Sequence, residues 1–169
     1  MIKLPKILLI FPFFAFQYGG NPVSCAIANA VMEVIERENL QENARLVGNH
    51  LMSELRKLAK RRKIIGDVRG VGLFAGIELV RDRVTRIPAT TEAKHVVSRM
   101  KDRKILISSD GPDDNILKLK PPMVFTIENV NHLVSTLDEV LEEVDIGDEE
   151  VIITLKFVRK YWNSEILEH

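Results

Sequence analysis

Few residues of this chain could do chemistry on their own. Four histidines, His50, His95, His132 and His169, are scattered without metal-ligand spacing. The first three fall in stretches of helical period, which predicts surface or interface placement and not a metal centre. Cys25 is the only cysteine. It lies in an apolar helical run and reads as a small buried residue, not a nucleophile. A single cysteine cannot close an internal disulfide, which points to a reducing compartment. Gly70, Gly72 and Gly76 form G-x-G-x-x-x-G leading into a strand, the wrong spacing and context for a dinucleotide-binding turn. The basic cluster Arg56, Lys57, Lys60, Arg61, Arg62 and Lys63 closes a helix, where cations complement the helix dipole. Basic and acidic residues balance at 24 each, so there is no basic excess to suggest nucleic-acid binding.

The elements that would position these residues are clearer than the chemistry. At 169 residues the chain has room for one domain that buries roughly 70% of its extended surface. Asn21-Pro22 is a helix start, a capping side chain followed by a pre-set proline. Behind it Val23, Ile27, Val31, Val34 and Ile35 keep one face apolar. Leu40, Ala44, Val47, Leu51, Leu55 and Leu58 define a second amphipathic helix. Residues 64–80 alternate with β-branched residues around glycines and predict two strands joined by a glycine turn. A third helix starts near Thr90 or Thr91 and buries Ala93, Val96, Val97 and Met100. Ile105-Leu106-Ile107 and residues 116–119 read as short strands separated by a turn over residues 110–114, and Pro121-Pro122 ends the second. A last helix from about Glu128 to Val144 carries Val130, Leu133, Val134, Leu137, Leu141 and Val144 on its core face. The sum is an α+β fold, a mostly antiparallel sheet covered by helices on one side.

The ends read differently. Lys3 and Lys6 precede an apolar run over residues 7–16 that imitates a secretory signal. Pro5 and Pro12 break a helix there, and the run is shorter than the roughly 20 residues that span a membrane. Leu167-Glu168-His169 reads as the start of an expression tag. Before it, residues 146–166 hold a strand-like Val151-Ile152-Ile153-Thr154-Leu155 and the pair Tyr161-Trp162.

Several uncommon strings carry a resemblance. Tyr18-Gly19-Gly20-Asn21-Pro22-Val23-Ser24-Cys25-Ala26 resembles the segment that opens the carboxy-terminal domain of class III aminotransferases. Asp67-Val68-Arg69-Gly70-Val71-Gly72-Leu73-Phe74 is similar to that class's glycine-rich strand turn. Ser109-Asp110-Gly111-Pro112, followed by Asn115-Ile116-Leu117-Lys118-Leu119-Lys120-Pro121-Pro122-Met123, resembles the branch of ethanolamine-phosphate and 5-phosphohydroxy-lysine phospho-lyases. Arg86-Ile87-Pro88-Ala89-Thr90 resembles it too.

This resemblance implies the small carboxy-terminal domain of a fold-type I, pyridoxal-phosphate-dependent enzyme over residues 17–145. Residues 1–16 are then a divergent amino terminus, and 146–169 an unmatched tail. It implies a family reaction that expels phosphate and ammonia from ethanolamine phosphate or phosphohydroxylysine, with pyridoxal phosphate bound at a dimer interface. The family's Schiff-base lysine, ring-nitrogen aspartate and stacking aromatic precede the matched region, so the chain is expected to be inactive alone. In the family a threonine before the aromatic-Gly-Gly reaches the cofactor phosphate. Here that position is Gln17, which leaves Gln17, Tyr18 and Gly19 as expected vestiges of the cofactor cradle. A turn feeding the Asn21 cap explains them equally well. Lys118 matches the position where many relatives carry an arginine that clamps a substrate carboxylate, and is the expected substrate-binding residue. A lysine there favours the phospho-lyase branch over an alanine-glyoxylate type transaminase. Expected partners are a second copy or a full-length aminotransferase-like subunit, neither nucleic acid nor membrane. The expected location is mitochondrial or cytoplasmic.

Overall fold

The computed structural model describes residues 20–144. The chain divides into two compact units, Met1–Gln41 and Glu42–His169.

In the first unit, helix α1 spans Pro22–Arg37. Its start follows the sequence logic: the Asn21 side chain accepts a hydrogen bond from the Ser24 N–H at 3.0 Å, and Pro22 occupies the first turn. None of its residues is buried. Val23, Ile27 and Val31 form an exposed apolar stripe, and Cys25 is exposed with them. The buried placement expected for Cys25 is therefore wrong. Helical period finds the apolar face but does not say what lies against it.

In the second unit, α2 (Leu40–Arg61) leads into strand β1 (Ile65–Val71), strand β2 (Phe74–Leu79) and helix α3 (Thr90–Asp102). Strands β3 (Ser108–Asp110) and β4 (Ile116–Leu119) follow, and a last helix, α4, covers residues 127–144. The sheet is antiparallel throughout, in the order β1-β2-β4-β3. One face, with Ala75, Ile77, Leu79, Leu117 and Leu119, joins the apolar faces of α2, α3 and α4 in a single core cluster. The side chains that repeat every three or four residues in α2 (Val47, Leu51, Leu55, Leu58) are buried, as expected of a core-facing stripe. So are Val130, Leu133, Val134, Leu137, Leu141 and Val144 in α4. Thr126 and Asn129 cap α4 reciprocally, each side chain accepting the other's backbone N–H at 3.1–3.2 Å.

Two features hold these elements in register. Gly48 of α2 meets the β1–β2 turn so closely that a Cβ there would stand 2.5 Å from the Cα of Gly72. Gly72 itself takes the left-handed φ of 56° that closes the turn. Beyond α2, the Arg83 guanidinium donates to four backbone carbonyls, Ala59, Arg62, Lys63 and Ile65, at 2.5–3.1 Å. It thereby satisfies acceptors that the helix end leaves open. The basic cluster at that end is tied inward as well: Arg61 and Arg62 both reach Asp138 of α4, and Arg62 reaches Glu142.

One strand is displaced from its expected place. Residues 105–107 are not a strand; β3 lies three residues later, where Asp110 pairs with Ile116 and Ser108 with Lys118. Pro121-Pro122 follows just after the partner, which ends at Leu119, so residues 105 and 106 have no strand to continue against. Leu106 is 84% exposed in consequence.

Candidate functional site

The sheet face turned away from the core carries the site. Register alone assembles it. Arg69 on β1 pairs with Gly76 on β2, Gly76 pairs with Lys118 on β4, and Lys118 pairs with Ser108 on β3. These four residues make one row across the sheet, with the side chains of Arg69 and Lys118 flanking a residue that has none. Two strand spacings put their Cα atoms roughly 10 Å apart. The next row holds Asp67, Glu78, Ile116 and Asp110, and the row on the other side begins with Val71 and Phe74. A row of cations thus lies between a mostly acidic row and an apolar one.

The charges are paired across these rows. The Arg69 guanidinium reaches Glu78 at 2.7 Å and Asp67 at 2.8 Å, and hydrogen bonds to both carboxylates raise its pKa above the ordinary value. Lys118 forms an ion pair with Asp110. The Lys118 hydrogen bond, helped by the Gly111 N–H, holds the Asp110 carboxyl below the usual carboxylate range. The Lys120 ammonium stands 4.8 Å from the centre of the Phe74 ring, a cation–π contact at the site's apolar edge. Together Arg69, Phe74, Gly76, Asp110, Ile116 and Lys118 line an open-sided cavity of about 520 Å³.

This arrangement can bind and orient an anion. An incoming carboxylate or phosphate would rest over Gly76 and exchange with Asp110 for the Lys118 ammonium. It offers no nucleophile with an adjacent base. His50 hydrogen-bonds Asn131 at 2.8 Å and His95 lies 3.7 Å from Glu143, so neither histidine is near the row. Among the described residues no three His, Cys, Asp or Glu side chains gather as a metal site, and no helix is long and apolar enough to cross a membrane.

Of the residues anticipated from the sequence, Lys118 stands on β4 at the centre of the site. Gln17, Tyr18 and Gly19 lie outside the described residues. Arg69, Gly76 and Asp110 were not anticipated as site residues. The alternation in β1 and β2, registered by the Gly72 turn, carried the signal for the first two, whereas Asp110 had been assigned to a turn.

Pyridoxal phosphate needs an available amine, an acid for its ring nitrogen and a cradle for its phosphate. Every described lysine except Lys118 is exposed, and the Lys118 amine is committed to Asp110.

Residues 14–141 match the family model for class-III aminotransferases. The chain is 56% identical over 128 residues to an alanine–glyoxylate aminotransferase 2-like protein of Drosophila melanogaster, covering 75% of this chain and 26% of that one. It is 48% identical over 125 residues to ethanolamine-phosphate phospho-lyase homolog 1 of Caenorhabditis elegans, covering 73% and 27%. The chain therefore spans about a quarter of the length of these relatives. Among solved structures, an Arthrobacter phospholyase in complex with phosphoethanolamine superposes with a TM-score of 0.70 at 35% identity, covering 82% of this chain and 33% of that one. An amine transaminase from an uncultivated Pseudomonas species, in its pyridoxal-phosphate-bound form, gives 0.69 at 32% identity, covering 76% and 29%. The antiparallel sheet with its helices is accordingly a fold found within the fold-type I aminotransferases. With the glycine turn, the Lys118 strand and three quarters of the sequence matched together, this chain belongs to the class-III aminotransferase family.

Proposed function

We propose that the chain supplies the small domain of a pyridoxal-phosphate-dependent phospho-lyase, and that its share of the work is to hold an anionic group of the substrate on the open sheet face. The observation that carries this reading is Lys118 beside Gly76, in one row with Arg69. A compact ammonium suits a tetrahedral phosphate, whereas the planar fork of arginine suits a carboxylate. Similarity to an ethanolamine-phosphate phospho-lyase homolog and to a phosphoethanolamine-bound phospholyase supports the same substrate class, an aminated phosphate ester. When bound, pyridoxal phosphate would act as the electron sink for elimination. Residues outside the described ones, Gln17, Tyr18 and Gly19, are the positions here that would approach it. The domain extends over residues 17–145 in this reading. Relatives with mitochondrial names, one of them from Arabidopsis thaliana at 45% identity over 72% of this chain, support a mitochondrial setting.

Grafting residues 42–144 in place of the corresponding part of the Caenorhabditis elegans phospho-lyase homolog tests this. Phosphate release from ethanolamine phosphate is then followed for Lys118 and Lys118→Met. Loss of the ammonium should lower kcat/KM about tenfold to a hundredfold, mainly through KM. An unchanged KM refutes the assignment of Lys118. The 169-residue chain, incubated with pyridoxal phosphate and borohydride, should yield no stoichiometric lysine adduct. A single modified lysine contradicts inactivity of the lone chain.

The exposed stripe of Val23, Ile27 and Val31 on α1 favours a second reading, a non-catalytic chain that associates with full-length subunits. Failure to co-purify with such a subunit at high concentration disposes of it.

A further inference from the structure

The register of β3 against β4 would place residues 106 and 107 opposite 120 and 119, yet β3 begins only at Ser108 and β4 ends at Leu119. The two segments, 104–107 and 119–122, instead border a cavity of about 330 Å³ with the first part of α4. Ile105, Ile107, Leu119, Phe125 and Leu133 supply apolar walls, and the mobile-ended side chains Lys104, Lys120 and His132 stand exposed around it. No aspartate or glutamate lines this cavity, although the chain as a whole carries 24 acids against 24 bases. Lys104 and His132 make no side-chain hydrogen bond or ion pair among the described residues, and Lys120 lies over the Phe74 ring with Asp110 as an acidic neighbour. The acids that pair on α3 or α4 do so elsewhere, among them Glu143 with Arg99, Glu139 with Arg103, and Asp138 with Arg61 and Arg62.

We propose that this cavity binds a small organic acid, its apolar body inside and its carboxylate among Lys104, Lys120 and His132. The volume decides the size. At about 30 Å³ for each non-hydrogen atom, the space holds about ten, the size of an eight-carbon carboxylate. The volume lies at the lower end of the range of small-molecule sites, and an apolar cavity with a few convergent polar groups is their usual make-up. Three donors with no carboxylate in the cavity lining give the selectivity: an anion gains partners there that a neutral chain of equal length does not. Lys118 does not line this cavity; only Lys120, at the edge of the first site, is shared, and the inference survives failure of the phospho-lyase reading.

Octanoate is the probe. It is titrated into the 169-residue protein while backbone amide shifts and heats of binding are recorded, with 1-octanol as the uncharged counterpart. The expected result is saturable binding near or below about 1 mM, with shifts concentrated at residues 104–107, 119–125 and 129–133. Octanol should bind at least about tenfold more weakly. Lys104→Glu and Lys120→Glu, both at exposed positions and so safe for folding, should each reduce octanoate affinity severalfold, and the pair about tenfold or more. Equal binding of octanol overturns the proposal, because it leaves only an apolar patch without selection for charge. Saturable shifts at other residues also overturn it, as does the absence of saturation in a sample whose dispersed spectrum shows it folded.

Discussion

Gly48→Ala gives the sharpest test of how the structure is held together, because two physical effects predict opposite signs. In an ordinary helix interior this change stabilises by about 0.5–1 kcal/mol, since glycine loses more backbone freedom on folding than alanine does. In α2, however, the new Cβ would stand 2.5 Å from the Cα of Gly72 and closer still to its carbonyl carbon and oxygen. Ordinary van der Waals contact begins at 3.4 Å, so helix and turn must separate by about 1 Å. The obstructing atoms are backbone and cannot swing away as a flexible side chain can. Overpacking of this kind costs about 1–3 kcal/mol, which exceeds the propensity gain and leaves a net loss of about 1–2 kcal/mol. For a folded unit of roughly 100 residues that lowers Tm by about 4–8 °C per kcal/mol. Urea unfolding followed by far-ultraviolet circular dichroism reads the effect, with the exposed neighbour change Asn49→Ala as control, expected within about 0.5 kcal/mol of the parent. A higher midpoint for Gly48→Ala at unchanged slope refutes the close approach of α2 to the turn.

The other predictions follow from single contacts. Arg83→Ala should cost about 1–2 kcal/mol in the same assay, because four carbonyls at the end of α2 lose a charged donor and only water replaces it; Arg83→Lys, which lacks the fork, should recover little of that. Asn115 is 4% exposed and its side-chain amide donates to the Leu79 carbonyl at 2.8 Å, which also accepts the Ala89 N–H at 3.1 Å, so Asn115→Ala should cost about 0.5–1.5 kcal/mol by removing one of the two bonds to that acceptor. Burial pushes the Asp138 carboxyl up, but hydrogen bonds from Arg61 and Arg62 outweigh it and hold the group below its ordinary value. A carboxyl lowered in the folded state stabilises fully above its unfolded pKa, about 3.9, and loses that contribution as pH falls through the folded one. Between about pH 5 and pH 3 the parent should therefore lose more stability than Asp138→Asn; parallel pH profiles would show that the two arginines do not act on this group. Lys118→Met should leave Tm within about 2 °C, since its partner Asp110 is largely in solvent, and a large drop would mean that Lys118 serves the fold and not a ligand.

Where one face of an element meets the core, the sequence was legible. Most of each stripe in α2 and α4 was anticipated because burial imposes the helical period on them, although Leu40 and Ala44 are only half-buried and Met52 and Val140 are buried as well. The glycine turn between β1 and β2 was legible because only glycine accepts its backbone geometry cheaply. The Ile105-Leu106-Ile107 run failed because β-branched composition reports compatibility with a strand, while a strand also needs a partner, and β4 ends at Leu119, just before Pro121-Pro122. Cys25 failed for a related reason: an apolar face on α1 says that something should cover it, not that something does. Lys118 was singled out through resemblance, but its neighbours across the sheet were not. Arg69 and Asp110 reach it through strand register, and Arg83 reaches α2 from a loop with no periodic mark of its own. Contacts between a side chain and distant backbone leave no local trace in a sequence.

The strand order also says something about how the anion row comes into being. Arg69 and Gly76 face each other across a hairpin closed by a turn at Gly72, a pairing that short loops form early. Lys118 reaches Gly76 only after all of α3 and a second hairpin have been laid down and brought back to the middle of the sheet. Half of the row is thus expected to form in the local stage of folding and half in the long-range one. A reporter of bound phosphate added during refolding should consequently lag behind β1–β2 hairpin formation and keep pace with the docking of the second hairpin.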